Sequence, residues 1–349
     1  MRAGASPENP LERVAMLAGQ VPTPIFETYF AFMQARVIMA GISLGVFGAL
    51  AERPDDAEGL AARLDLDPKG VDILLAALHA CGYVRERGGH YENKRDVERW
   101  LLPAGETSQD AFLGQFAYDM WSHYGSLEAT LRGEGPIGLH DHPADDPYWE
   151  RYMRGLHDLS KLGGPILAAK LSLDSPERML DLAGGHGGYS MALCRRHPGL
   201  HATVVELEGA ARIGRTIVSE EGMADRVEHR VGDLFEVEAT GDQDLVLAAQ
   251  IAHHFDPERN VELLRVARGA LKPGGTAAIV ELERPPAGKA GTQVGTLTGM
   301  LFYITSNART YTAEEVRGWF AEAGYPHVRV RRDPRLQGSM VVMGRAPSR

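Results

Sequence analysis

Asp181-Leu-Ala-Gly-Gly-His-Gly-Gly-Tyr189 is the stretch on which the reading of the fold turns. It follows a short apolar run, Arg178–Leu182, and opens a helix expected over Tyr189–His197. The next apolar run, His-Ala-Thr-Val-Val-Glu, closes on an acid, Glu206. A glycine-rich turn between strand and helix lets a ligand approach the backbone, and an acid at the end of the second strand can hold a ribose diol. The glycines alone are a weak signal. The order strand, turn, helix, strand, acid is what points to a nucleotide-type ligand.

The spacing narrows that ligand. A dinucleotide turn reads G-x-G-x-x-G and cradles a pyrophosphate. Here Gly184, Gly185, Gly187 and Gly188 are denser, and Asp181 stands just before the turn. A carboxylate there repels phosphate and suits a cationic amino group. S-adenosylmethionine fits: it has a ribose, an adenine, a sulfonium and an amino-acid end, and no phosphate.

From residue 176 onward strands and helices alternate. Apolar runs fall at 179–183, 202–205, 227–231, 245–249 and 277–280, with helices expected over 209–221 and 258–271. This predicts a doubly wound, mostly parallel α/β sheet. Lys272-Pro-Gly-Gly275 reads as a stop after the second helix. After a helix over 313–323, the runs 327–332 and 339–343, joined by a loop over 333–338, suit an antiparallel edge hairpin. Seven strands are expected in all.

Upstream, Ala57–Leu64 is amphipathic and Asp65–Gly70 reads as a turn. Val71–Gly82 places Val71, Leu74, Leu75 and Leu78 on one helical face. Tyr83–Arg87 and His90–Lys94 flank Gly88-Gly89, a hairpin turn. Helix, turn, helix and wing make a winged-helix module. Its second helix offers Lys69 and Asp72 rather than a row of base-reading Arg, Asn and Gln, so a dimerising use is favoured over DNA binding. The expected division is 11–105 for this domain, 106–175 for connecting helices that line an acceptor pocket, and 176–349 for the cofactor domain.

With 349 residues, 44% hydrophobic, the chain has room for ordinary globular cores. A net charge of −10 speaks against nucleic acid and anionic membrane as partners. The apolar Val37–Ala51 falls short of the roughly 20 residues a spanning helix needs, and reads as a buried helix at a homodimer interface. Two cysteines, Cys81 and Cys194, and a polar Met1–Pro10 without signal-peptide character suit a cytoplasmic protein.

In an open α/β sheet, ligands collect at the carboxyl ends of the strands. Those ends carry the glycine turn, then Glu206, then Gly232-Asp233-Leu234-Phe235, then Gln250-Ile-Ala-His-His-Phe-Asp256, then Glu281. Asp233 can accept from an adenine amino group with Leu234 and Phe235 beside the ring, and Gln250 joins this cofactor-binding set. An imidazole at 253 or 254 suits proton removal from a hydroxyl, and Glu281 can fix its tautomer. No metal is expected, because the adjacent His253, His254 and Asp256 do not converge readily on one ion. Aromatic and Met side chains, among them Phe116, Trp121, Met153, Met300, Phe302 and Tyr303, suggest a flat apolar acceptor.

Leu180-Asp-Leu-Ala-Gly-Gly-His-Gly-Gly, Gly232-Asp-Leu-Phe, Ala252-His-His-Phe-Asp, Leu271-Lys-Pro-Gly-Gly and Ala308-Arg-Thr-Tyr-Thr-Ala-Glu-Glu together carry a resemblance. The chain resembles class I S-adenosylmethionine-dependent O-methyltransferases with an N-terminal winged-helix dimerisation domain, over about residues 12–346. The resemblance implies a glycine loop at Gly184, Gly185 and Gly187, a ribose-binding acid at Glu206 and an adenine-contacting acid at Asp233. It implies a base at His253, an orienting acid at Glu281, and a serine near the methionyl carboxylate at Ser160. His254 and Phe255 replace the Asp and Trp of the family's base motif. Ala183 replaces the loop's first glycine, Ala249 a lysine, and Ala308 a second acid near the base. Relatives of this kind also methylate carbon or nitrogen, or bind the cofactor without methyl transfer, and those alternatives stay open, as does a ligand-sensing regulator.

Overall fold

The computed structural model describes residues 3–102, 106–171, 173–336 and 338–348, so parts of the polar N-terminal stretch and of the 333–338 loop lie outside them. The chain divides into two units, Met1–Tyr118 and Asp119–Arg349, and the expected connecting segment 106–175 is shared between them.

The first unit contains helices α1 (Pro10–Leu17), α2 (Ala31–Ser43), α3 (Val46–Glu52), α4 (Ala57–Leu64) and α5 (Pro68–Ala80), the strands β1 (Val84–Arg87) and β2 (His90–Asn93), and α6 (Arg95–Leu101). β1 and β2 pair antiparallel around Gly88-Gly89, so the helix–turn–helix–wing order holds. α5 starts earlier than the periodicity suggests because Asp67 caps it, accepting from the Gly70 N–H at 2.6 Å, and Pro68 fills the first turn.

Val37–Ala51 is not one helix. Gly45 takes a left-handed φ of 75° and breaks it between α2 and α3. Most of its apolar residues (Met39, Ile42, Val46, Phe47, Leu50) are buried inside this unit. Most of the exposed apolar side chains of this unit lie upstream instead, among them Leu11, Leu17, Phe26, Tyr29, Phe30 and Phe32, with Leu44 exposed inside the run and Ile73 beyond it. Among the described residues, no single helix is long and apolar enough to cross a membrane.

The second unit is built on a seven-stranded sheet. Its strands are β3 (Arg178–Leu182), β4 (His201–Glu206), β5 (Val227–Val231), β6 (Gln243–Ala249), β7 (Leu271–Leu282), β8 (His327–Arg332) and β9 (Ser339–Arg345). In space the order is β5-β4-β3-β6-β7-β9-β8. The first five run parallel; β9 pairs antiparallel with both β7 and β8. One face of the sheet packs on a core containing Met153, Leu167, Met191, Ile213 and Ile217, the other on Val261, Leu264, Trp319 and Phe320. The chain steps outward from β3 through β4 to β5, then restarts at β6 on β3's other side. That reversal opens a crevice at the carboxyl ends of β3 and β6.

The turn at Lys272–Gly275 does not end the pairing. Leu271 still pairs with Gln243, and pairing resumes at Leu245↔Thr276, so Lys272–Gly275 bulges out opposite Asp244. Asp244 holds the bulge, accepting from the Glu177 and Arg178 N–H groups and pairing with Lys272.

Candidate active site

Two clusters of polar side chains meet the crevice. The first is the glycine turn between β3 and helix α8 (Gly188–Arg196). Ala183, Gly185 and Gly187 all take left-handed φ values, of 56°, 55° and 75°. Only glycine reaches that region without cost, so Ala183 carries strain the two glycines do not. Gly184 has an ordinary φ, but a Cβ there would lie 2.5 Å from Asp181 Cγ. Glycine is required at 184 because the Asp181 carboxyl packs beneath it.

Asp181 is buried. Its Oδ2 accepts from Ser190 Oγ at 2.6 Å, and its Oδ1 has no partner. Burial pushes its pKa up to about 7. Glu206, at the end of β4, accepts the Gly185 N–H on Oε2 at 2.9 Å and the Leu207 N–H on Oε1 at 2.7 Å. Each oxygen keeps a lone pair for a hydroxyl. Burial raises its pKa, and these two N–H bonds oppose the rise. Met153 belongs to helix α7 (Tyr148–Lys170) and brings its sulfur within 3.6 Å of where a Gly185 Cβ would stand. An orphaned buried carboxyl oxygen, a turn with no room for side chains and a carboxylate set for a diol fit an adenosyl amino acid.

The other cofactor candidates occupy distinct positions. Ser160, on α7, lies against Gly188 and donates to the His157 carbonyl at 2.7 Å. Asp233 is exposed beyond β5 and caps its own turn through the Phe235 N–H at 2.8 Å. Leu234 packs on the core beside Phe235. The Phe235 ring is engaged by the Arg259 guanidinium at 3.4 Å and by the edge of Phe255. Gln250 closes β6 with a left-handed φ of 56° and donates to the Val280 carbonyl at 2.8 Å. A left-handed backbone at a non-glycine residue is costly, and such strain clusters at ligand clamps and active sites.

The second cluster stands on the short turn Ala252–His254 after β6. His253 Nδ1 lies 3.0 Å from Glu281 Oε2 and 3.1 Å from Oε1, and both side chains are buried. The carboxylate also takes the His253 backbone N–H. Phe302, on helix α11 (Gln293–Ser306), stacks on the imidazole at 3.8 Å and 4°. Buried Asn260 anchors the turn by donating to the Ala252 and Phe255 carbonyls, and Tyr311 Oη adds a bond to Phe255 O. Asp256 serves as N-cap to helix α10 (Pro257–Ala270), accepting from the Arg259 N–H. Among the described residues, no three His, Cys, Asp or Glu are placed to hold a metal.

His254 lies beside His253, ring centroids 4.2 Å apart, and His140 meets it edge-on at 4.8 Å. His140 Nε2 reaches Tyr152 Oη at 3.3 Å. Burial, with His253 and His140 close by, pushes His254 down to about 2, so it stays neutral at any ordinary pH. A groove of about 270 Å³ lined by His253, His254, Arg309 and Tyr311 opens beside the pair. A larger depression of about 610 Å³ lies at the amino ends of β3–β5, away from both clusters.

The acceptor-pocket candidates are only partly gathered. Met153 is buried against the glycine turn, whereas Trp121 and Met300 are 40% and 37% exposed. Tyr303 is half-buried on α11. Phe116 belongs to the first unit, where its ring packs on Phe112. Sequence reasoning passed over His140 and His229, and read Tyr152 only as one of the aromatic side chains of the 106–175 segment, without its bond to His140. His229 could have been found: with Val227 two residues before it on β5, alternation sends both to the buried face.

Residues 133–326 match the family described as the O-methyltransferase domain, and residues 26–102 match the O-methyltransferase dimerisation domain. The 3-hydroxy-5-methyl-1-naphthoate 3-O-methyltransferase of Streptomyces sahachiroi is 29% identical, covering 93% of this chain and 95% of its own. The acetylserotonin O-methyltransferase of Mus musculus molossinus is 33% identical, covering 86% and 83%. The crystal structure of human N-acetylserotonin methyltransferase in complex with S-adenosylmethionine superposes with a TM-score of 0.81 at 20% identity, covering 99% of this chain and 100% of that one.

Proposed function

The chain belongs to the family of S-adenosylmethionine-dependent O-methyltransferases in which a dimerisation domain precedes the catalytic one, and from that premise we propose that it methylates a hydroxyl of a small aromatic acceptor with His253 as general base. One observation carries this reading: the buried His253 Nδ1–Glu281 contact at 3.0 Å, at the end of β6 beside the cofactor crevice. With Nδ1–H donating to the carboxylate, Nε2 keeps its lone pair free to accept a proton. Stacking on Phe302 fixes the ring plane.

When bound, S-adenosylmethionine supplies a methyl group already activated by its sulfonium. Glu206 would hold the ribose diol, and the turn at Gly184, Gly185 and Gly187 would let the amino-acid portion approach the backbone. Asp181 Oδ1 would hold the amino end and Ser160 the carboxylate, with Asp233, Leu234, Phe235 and Gln250 available to the adenine. A phenol has a pKa near 10, so His253 Nε2 would take the acceptor's hydroxyl proton, and Glu281 would stabilise the imidazolium that forms. Neutral His254, with Met153, Trp121, Met300 and Tyr303, lines the acceptor side. The relatives' named substrates, a hydroxynaphthoate and acetylserotonin, support a flat bicyclic or smaller hydroxyaryl acceptor.

The dimerisation-domain match and the exposed Leu11, Leu17, Phe26, Tyr29, Phe30 and Phe32 support a homodimer. Sizing chromatography should give twice the chain mass; a soluble monomer would contradict it. Two unpaired cysteines among the described residues support a reducing, cytoplasmic compartment.

The test is to incubate the enzyme with methyl-labelled S-adenosylmethionine and a panel of hydroxynaphthoates, hydroxyindoles and phenols, and locate the label by mass spectrometry. Label on oxygen is expected. Label on carbon or nitrogen, or none, would overturn the reading.

A further inference from the structure

Gly185 is held at both of its peptide groups by side chains from different strands. Its N–H donates to Glu206 Oε2, on β4, at 2.9 Å. Its carbonyl lies 2.9 Å from His229 Nε2, on β5. A carbonyl can only accept, so Nε2 carries the proton and His229 donates. Nδ1 is then bare, and it is buried without a partner. The ring is seated tightly. A Cβ at Gly214, on helix α9 (Glu208–Glu220), would meet His229 Nε2, with Gly185 O at 2.8 Å. A Cβ at Gly187 would come within 3.3 Å of His229 Cε1. Two glycines on separate elements therefore leave the space the imidazole fills.

Gly185 needs this restraint because of its own chemistry. A glycine with φ of 55° has the widest choice of backbone conformations of any residue. Left to itself, the turn samples shapes in which the Gly185 N–H no longer points at Glu206. That carboxylate would then be held by the Leu207 N–H alone, with its second oxygen released.

We propose that His229 is a positioning residue for the cofactor: by pinning the Gly185 carbonyl it fixes the Gly185 N–H, which orients the Glu206 carboxylate toward the ribose. This rests on the reading of Glu206 as the ribose-binding acid. His229 touches no cofactor atom itself. Its bond is donated by the same Nε2–H whether the ring is neutral or charged.

The experiment measures S-adenosylhomocysteine binding by calorimetry on wild type, His229→Asn, His229→Gln, Glu206→Gln and the double variant His229→Asn/Glu206→Gln, with thermal melting as the folding control. The Gln amide can occupy the Nε2 position and donate; the shorter Asn cannot. His229→Asn should weaken binding about tenfold, the size of one lost hydrogen bond, and His229→Gln should stay within about threefold of wild type. In the Glu206→Gln background, His229→Asn should have less than about a threefold further effect, because the two act through one peptide. Unchanged affinity in His229→Asn, or a full loss in both backgrounds, overturns the clamp. If His229→Asn does not fold, the Gln arm decides: wild-type affinity supports the clamp, and loss of binding at a wild-type melting temperature overturns it. Wild type that does not bind the ligand overturns the ribose reading as well, so the two failures are distinct.

Discussion

The two clusters at the carboxyl edge of the sheet are built from different materials. At β3–β5 the cradle is backbone, shaped by Gly184, Gly185 and Gly187 and held by Glu206 and His229. At β6–β7 the machinery is a single side-chain pair, His253 and Glu281, shut away from solvent. On the proposed reading, binding is distributed over many small contacts, while proton transfer is concentrated in one imidazole. The contrast implies that damage to the second cluster stops turnover and spares affinity, and damage to the first does the reverse.

Substitutions at each cluster probe that division directly. His253→Ala should lower kcat by roughly 10²–10⁴, the usual size of a lost general base, and leave S-adenosylhomocysteine affinity unchanged in calorimetry. Glu281→Gln should lower kcat by less, since the ring keeps a hydrogen-bonding partner but loses the charge that stabilises the imidazolium. If either variant lost affinity in proportion to rate, the two clusters would not be separate in function. Glu206→Ala should weaken the cofactor by about 10- to 100-fold, the range for hydrogen bonds to a charged group, with kcat at saturating cofactor close to wild type.

The buried titratable groups pull in opposite directions in acid. Burial holds His140, His157, His186, His229 and His254 below the ordinary 6.5 of histidine. The unfolded chain binds protons that these sites refuse, so their contribution to stability is complete above pH 6.5 and is lost as pH falls toward the folded values. Asp181, raised to about 7, and Glu206, also raised, act in the opposite sense, because the folded chain keeps their protons longer. His123 and His197 are held below 6.5 as well, and seven histidines against two acids give a melting temperature that falls between pH 7.5 and 5.5. His229→Gln should flatten that slope, and a melting temperature rising toward acid would refute the balance.

The smallest effect belongs to Ala183. Relief of its left-handed φ of 56° should make Ala183→Gly more stable by about 0.5–1 kcal/mol. Chemical denaturation would read it, and a loss of stability would show that the alanine methyl contributes more to packing than the strain costs.

Much of this was legible in the sequence, and the exceptions have physical causes. The parallel sheet, the glycine turn, Glu206 and the His253–Glu281 pairing follow from alternation, turn chemistry and strand-end position, all local signals. The break at Gly45 was missed because an apolar run hides a single left-handed residue. The Lys272–Gly275 turn was seen, but not that Asp244 would keep the strand paired beyond it. Most of the exposed apolar surface of the first unit falls upstream of Val37–Ala51, because only packing decides which apolar residues a small helical unit can cover. His140 reaches His254 from a loop and Tyr152 reaches His140 from α7, separations no local pattern encodes.

A crystal structure of the enzyme with S-adenosylhomocysteine tests the central claim most directly. The account predicts Glu206 on the ribose hydroxyls and His253 Nε2 facing the sulfur across a gap that one hydroxyl oxygen can fill, with Glu281 still on Nδ1. A ribose bound away from Glu206, or an imidazole turned from the sulfur, would contradict it.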